Sequence, residues 1–242
     1  MSKIYSRFSS NKIFSVTLFL LTISCSLVTA QSNNPDEIIE NLKSEFQRVK
    51  DYQADVTIKV NASMLKMPVM KAVFSFKQPD KTHIETNSFA MIPKQGVNFS
   101  PVSFLSGKHT LIFARKENID GRELSVIKII PLNENSGVLL TTIWVDQVKK
   151  VVRKLESTTR SSGTFNVDFS YDENMEYPLP SKIIFSFNLD KMGLPKDPNQ
   201  NSNRKNRRKR VSGIKGKVTL TYSNYKINTD LPDALFEKEK EE

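Results

Sequence analysis

The chain has 242 residues, 38% hydrophobic and 26% charged, with 36 Lys and Arg against 26 Asp and Glu for a net charge of +10. That length holds one domain with its own core and falls short of two large ones. The single cysteine, Cys25, lies so near the start that a trimmed chain would carry no disulfide, thiolate nucleophile or Cys-based zinc site.

Lys3, Arg7 and Lys12 give a basic start, and Ile13 to Ala30 is then uncharged and almost wholly apolar or small. Val28-Thr29-Ala30 offers small residues to a signal peptidase, so residues 1–30 read as a cleavable signal peptide with Gln31 as the mature N-terminus. The rival is an uncleaved anchor, since eighteen residues approach spanning length. The small and polar far end, with Ser24, Ser26 and Thr29, favours cleavage. Lipidation at Cys25 is disfavoured by Thr22, where such sites carry Leu, and by apolar Leu27-Val28 after it. Cleavage takes three cations and no acids, which leaves +7 on residues 31–242. These residues read as a single domain.

Asn34-Pro35-Asp36 predicts a helix start, with Asn34 as cap and Pro35 at the first helical position. Ile38, Ile39, Leu42, Phe46 and Val49 then fall on one face of a helix running to Lys50, a stripe suited to packing on a sheet. From Ala54 the period changes from 3.6 to 2. Strands are expected at 54–60, 67–77 and from Lys81 to Thr86, with a turn at Gln78-Pro79-Asp80. Phe89 to Gly107 breaks that rhythm: it is apolar without alternation and contains Pro93 and Pro101. A long apolar connection of this kind is either a loop filling the end of a β core or a lid over a greasy cavity. Strands resume at 110–115 and 124–130 around the Asp120-Gly121 turn, then at 138–145. Arg153 and Lys154 suggest a strand with a solvated outer face. Phe165, Val167, Phe169 and Tyr171 alternate with polar residues, and Ile183, Phe185 and Phe187 repeat the pattern. A polar loop at about 192–216, expected to be disordered, precedes a last strand with Val218, Leu220 and Tyr222 inward. About ten short strands with one front helix point to a sandwich, a barrel or a curved sheet wrapped around helix and flap.

Catalytic chemistry is sparse. His83 and His109 are the only histidines and lack metal-site spacing, so no metal and no cofactor are expected. Asp168, Asp172, Glu173 and Glu176 lie close in sequence, but Asp168 faces away from the apolar side and Asp172-Glu173-Asn174 reads as a solvated turn. No enzyme is indicated. The run Arg204, Lys205, Arg207, Arg208, Lys209 and Arg210 would suggest nucleic acid in a cytosolic chain. Export and the lack of interleaved aromatics argue against that partner. A solvated hairpin insertion is the simpler reading, and docking to an anionic membrane surface is the functional one.

Several stretches taken together resemble the LolA-type outer-membrane lipoprotein carriers, and more closely their outer-membrane lipoprotein-sorting relatives. They are IIENLKSEFQRVKDYQADVTIKV, AVFSFKQPDKTHIET, MIPKQG, WVD followed by KVVRKLES, LPSKIIFSF and LTYSNYKINTDLPDALF. The resemblance covers most of the chain after residue 30 as a pattern of strands and turns. It implies a mainly β fold, an incomplete, half-open antiparallel β-barrel with an N-terminal helix and a helical or loop lid over an apolar cavity.

In those carriers the cavity accepts acyl chains of lipoproteins released by an inner-membrane transporter and handed to an outer-membrane receptor. By resemblance this chain is a non-catalytic, monomeric periplasmic carrier or binder of lipoprotein acyl chains or other lipids. An envelope-stress sensor or structural binding module on the same fold is the alternative. The implied cavity liners are Val56, Ile58, Phe74, Phe76, Phe165, Phe169, Phe185 and Phe187. The implied lid residues are Phe89, Met91, Ile92, Val97, Phe99, Val102, Phe104 and Leu105. The carriers place an arginine before the turn proline, where it bonds the lid. Here Gln78 stands at that position, so a lid contact there would lack charge.

Overall fold

The computed structural model describes residues 32–62, 65–86, 105, 107–133, 137–160, 163–188 and 215–237. The expected signal peptide, the lid residues from Phe89 to Phe104 and the basic run 204–210 lie outside these described residues.

Helix α1 spans Pro35–Gln47. The Asn34 side chain accepts a hydrogen bond from the Asp36 backbone N–H at 3.0 Å, satisfying one of the donors a helix start leaves open. Asp36 and Glu37 sit in the first turn, where the helix dipole favours negative charge. Ile38, Ile39, Leu42 and Phe46 are all buried, so the apolar stripe faces the sheet.

The strands are β1 (Asp51–Ala62), β2 (Leu65–Lys66), β3 (Met70–Lys77), β4 (Lys81–Thr86), β5 (His109–Ile119) and β6 (Arg122–Pro131). They continue with β7 (Val138–Asp146), β8 (Val151–Thr159), β9 (Gly163–Ser170), β10 (Lys182–Asn188) and β11 (Lys215–Ile227). Ten of them form one antiparallel sheet in the order β4-β3-β1-β11-β10-β9-β8-β7-β6-β5, with the short β2 on β1. β4 and β5 end that order without pairing to each other, so the sheet is a half-open wrap and not a closed barrel. Apart from β3 on β1, which skips only the short β2, one neighbouring pair in that order is not consecutive in sequence: the long-range seam of β1 on β11, held from Tyr52↔Ile227 to Ala62↔Gly216.

Local chemistry sets the hairpins. Asp120 and Gly121 both take positive φ, 52° and 77°, as a two-residue turn matched to strand twist requires. At the β7–β8 turn the buried Asp146 carboxylate accepts from the backbone N–H groups of Val148 and Lys149, both at 3.1 Å. Buried Asp51 plays the same part for the chain end, accepting from the N–H groups of Thr229 at 2.9 Å and Asp230 at 3.1 Å. The short 3₁₀ turn Asp233–Leu235 follows, with Asp233 ion-paired to Lys77 at 2.9 Å and Lys81 at 3.2 Å.

The outer face of β8 is less solvated than its cations suggest. A register shift between Trp144 and Val145 leaves Arg153 at a bulge, where its guanidinium donates to Asp146 at 3.0 Å and lies 5.2 Å from the Tyr171 ring centre. Lys154 places its ammonium 4.7 Å from the Trp144 ring, and Trp144 packs with Leu124 and Val126 in a small cluster of its own. Two cations thus cover apolar surface with their stems and pair at their tips.

Candidate functional site

The inner face of the sheet, the one α1 covers, is built from residues that alternate inward on every strand. Register aligns them in rows across the sheet. One row runs Val60, Val218, Phe185, Val167, Leu155, Ile143, Ile127 and Phe113, from β1 through β11 to β5. The next row toward the far end runs Gly216, Phe187, Phe165, Ser157, Thr141, Ile129 and Leu111.

The eight expected cavity liners all lie on this face, but they divide into two groups. Val56, Ile58, Phe74, Phe76 and Phe169 are buried, at 2–6% exposure. They belong to the packed core beside α1, where Phe46 of the helix meets Phe76 with ring centres 5.6 Å apart. Tyr52 joins them, 5.8 Å from Phe74 and 5.4 Å from Phe76. Burial pushes the Tyr52 and Tyr222 hydroxyls up in pKa.

Phe165, Phe185 and Phe187 are only half-buried. They form a ladder, with centres 5.1 Å apart between Phe165 and Phe185 and 5.0 Å between Phe185 and Phe187. Gly216 makes room for the last ring. A Cβ at that position would stand 2.4 Å from two Phe187 ring carbons, so the ring lies against bare backbone. Leu105, the described member of the expected lid, is buried in the same core at 4% exposure.

Gln78 binds the end of the helix. Its side-chain N–H groups donate to the carbonyls of Val49 at 2.7 Å and Gln47 at 3.2 Å, and its backbone N–H donates to Lys50 O at 2.8 Å. The Gln47 carbonyl is among the acceptors a helix leaves open at its C-terminus, and Val49 and Lys50 belong to the segment that follows it. The partners expected for Gln78 in the lid, residues 89–104, lie outside the described residues.

The sequence pattern singled out no polar group on the inner face and no glycine. The structure places Thr141 and Ser157 there, 4% and 3% exposed and 3.2 Å apart between hydroxyl oxygens. The signal available was parity: Thr141 stands two residues from Ile143, and Ser157 two from Leu155. Their pairing across β7 and β8 was not legible before the register was known.

On the outer face, a recess of about 480 Å³ is lined by Asp55, Thr57, Lys71, Glu85, Ser223 and Asn224 among others. Asn224, at φ 54°, donates to Asp55 at 2.7 Å across a register shift in β1. The expected turn acids are tied to cations: Glu173 pairs with Arg122 and Lys149, each at 2.7 Å. The hydrogen bond from Lys149 holds the Glu173 carboxyl below its ordinary pKa. His83 and His109 lie on the two edge strands, β4 and β5. Among the described residues, no three His, Cys, Asp or Glu side chains come together as a metal site.

Comparison of this fold with solved structures gives a LolA-like architecture. It is similar to a LolA superfamily protein of Nitrosomonas europaea, with a TM-score of 0.53, 16% identity, and coverage of 84% of this chain and 96% of that one. It is also similar to a domain assigned as an outer membrane lipoprotein-sorting protein from Vibrio parahaemolyticus, at TM-score 0.55 and 13% identity, covering 85% and 98% of the two chains. A third is a DUF1329 family protein of Desulfovibrio piger, at 0.51 and 11%, covering 85% and 98%. At these identities the likeness is one of fold. No family model and no curated protein matches the sequence. The resemblance read from strands and turns thus holds at the level of architecture.

Proposed function

We propose that this protein is a non-catalytic carrier or binder of acyl chains, from lipoproteins or other lipids, working in the periplasm after removal of residues 1–30. The observation that carries the reading is the half-buried ladder Phe165–Phe185–Phe187 on the inner face of a sheet that does not close. A packed core has no use for three adjacent aromatic rings left partly open, because each forfeits burial worth up to about 2 kcal/mol. An acyl chain laid on those rings would complete the burial.

The energetics suit a carrier. Each methylene withdrawn from water contributes about 0.8 kcal/mol, so a sixteen-carbon chain gains roughly 12 kcal/mol gross before the costs of binding. A half-open wrap recovers part of that gain and still lets the chain leave. The Nitrosomonas and Vibrio proteins supply the fold analogy, and the second is assigned to lipoprotein sorting. In this reading the Phe89–Leu105 segment is the lid, the transporter and receptor are envelope partners, and the 204–210 cations face anionic lipid.

Native mass spectrometry of the purified protein, paired with uptake of a fluorescent fatty acid, tests the proposal. Bound lipid or saturable uptake is the expected result. A protein that carries no lipid and takes up no fatty acid is no acyl-chain binder.

A further inference from the structure

The pair Thr141–Ser157 is the unexplained polar element of the inner face. Both residues are more than nine-tenths buried, and apolar residues flank them along the row: Ile129 and Leu111 on one side, Phe165 and Phe187 on the other. Along their own strands the inward neighbours toward the packed end are Ile143 and Leu155, both buried, and on the other side of Ser157 stands Thr159, whose hydroxyl donates to Gly163 O. Each hydroxyl carries one proton and two lone pairs. The single bond between them, at 3.2 Å, uses one proton, and the accepting hydroxyl keeps its own. No protein acceptor for that second proton occurs among the described contacts of either residue.

The fold does not require this pair. Replacing two hydrogen-bonded partners together by apolar groups of similar shape is close to neutral for stability, whereas a hydroxyl with an unused donor in an apolar row carries a cost. A ligand that brings an acceptor removes the cost. The position indicates which acceptor. Ser157 opposes Phe165, Phe165 opposes Phe187 and Phe187 opposes Gly216, so the hydroxyls stand at one end of the aromatic ladder. From β8 to β11 that row crosses three strand spacings, roughly 14 Å, a length for hydrocarbon to lie on. A chain placed there has its polar end at the hydroxyls. In an acyl chain the acceptor at that end is the carbonyl oxygen.

We infer that Thr141 and Ser157 form the hydrogen-bonding point for the carbonyl oxygen of an acyl chain, ester- or amide-linked, whose hydrocarbon lies over Phe165 and Phe187. The assignment rests on the acyl-chain reading above and adds a polar anchor that fixes the depth and direction of the chain. Hydrocarbon burial alone sets neither.

The test measures displacement of diphenylhexatriene, a fluorescent hydrocarbon with no carbonyl, from the purified protein. Methyl hexadecanoate, N-methyl hexadecanamide and heptadecane are the competitors. In the Thr141→Val/Ser157→Ala double variant, the ester and the amide should lose about three- to tenfold in apparent affinity, the worth of one net hydrogen bond. Heptadecane and the dye should stay within about twofold, a split that loss of packing alone would not give. Thr141→Ser, which keeps the hydroxyl, should retain the affinity of the parent. Loss for the ester alone assigns the anchor to ester-linked chains, and loss for the amide alone to amide-linked ones. Equal loss for all three competitors, or no loss for either carbonyl compound, overturns the anchor while leaving the carrier reading intact. A parent protein that binds neither dye nor competitor overturns both. Should the double variant fail to fold, Ser157→Ala alone is read by the same split.

Discussion

Strand β10 shows the inner face changing character within five residues. Ile183 is 1% exposed and aligned with Ile58, Leu220 and Phe169, all buried, toward the end where α1 terminates. Phe185 and Phe187, two and four residues on, are half-buried, with ring contacts between them and from Phe185 to Phe165. The same alternation and the same sheet thus produce two regions. The helix end is closed by a stripe of four buried apolar side chains, with ion pairs such as Arg48–Glu176 and Lys77–Asp233 at its margin. The ladder end holds half-buried rings, a bare glycine and two buried hydroxyls. One end holds the fold together, and the other is where binding is proposed.

The sharpest way to break that comparison is to truncate a ring at each end. Phe76→Ala should cost about 3–5 kcal/mol, read as a fall in unfolding midpoint, because a fully packed ring leaves a cavity between β3 and α1. Lipid uptake should fall only as far as folded protein is lost. Phe185→Ser is expected to behave oppositely: about 1–2 kcal/mol of stability, since the ring is already part-exposed, with uptake reduced tenfold or more. If Phe185→Ser unfolds the protein as Phe76→Ala does, the ladder is core and the distinction between the two ends disappears.

A smaller effect probes how the helix end is closed. Gln78→Ala leaves the Gln47 and Val49 carbonyls without their side-chain donor and should cost about 1–2 kcal/mol in denaturant titration. Amide hydrogen exchange in the last turn of α1 should quicken while β9 and β10 are unchanged.

The smallest effect concerns acid. The Lys149 hydrogen bond, with Arg122 and Arg153 nearby, holds the Glu173 carboxyl below its ordinary value. A carboxyl depressed in the folded state contributes stability above its unfolded pKa, about 4.3, and loses it as pH falls through the folded value. Glu173→Gln should therefore flatten the decline in unfolding temperature below about pH 4. It should change little at pH 7 beyond a small loss, because the group is half exposed to solvent and screened.

Much of the architecture was legible beforehand. The Asn34-Pro35 start predicted a helix that begins at Pro35, and the strand from Lys81 to Thr86 coincides with β4. Inward positions such as Val218, Leu220 and Tyr222 followed from a two-residue period, which backbone geometry imposes on any strand. The misreadings have local causes. The expected solvated face of β8 contains a bulge, and a one-residue insertion redirects a side chain that period counting assigns to water. The lid contact expected of Gln78 is a separate matter: its partners lie outside the described residues, and among the described ones its side chain bonds the end of α1.

Sequence alone determined that this chain makes a front helix and about ten short strands with one greasy face, because helix caps, turn residues and side-chain periodicity act over a few residues. Tertiary structure decided which of those greasy positions are sealed. Thr141 meets Ser157 sixteen residues away, and Phe187 lies against Gly216 across a strand seam, both through register. Burial of each ring depends on what the rest of the chain lays over it, and no local pattern encodes that. The division between a packed end and an open one therefore appears only once β1 and β11 have joined the two halves of the sheet.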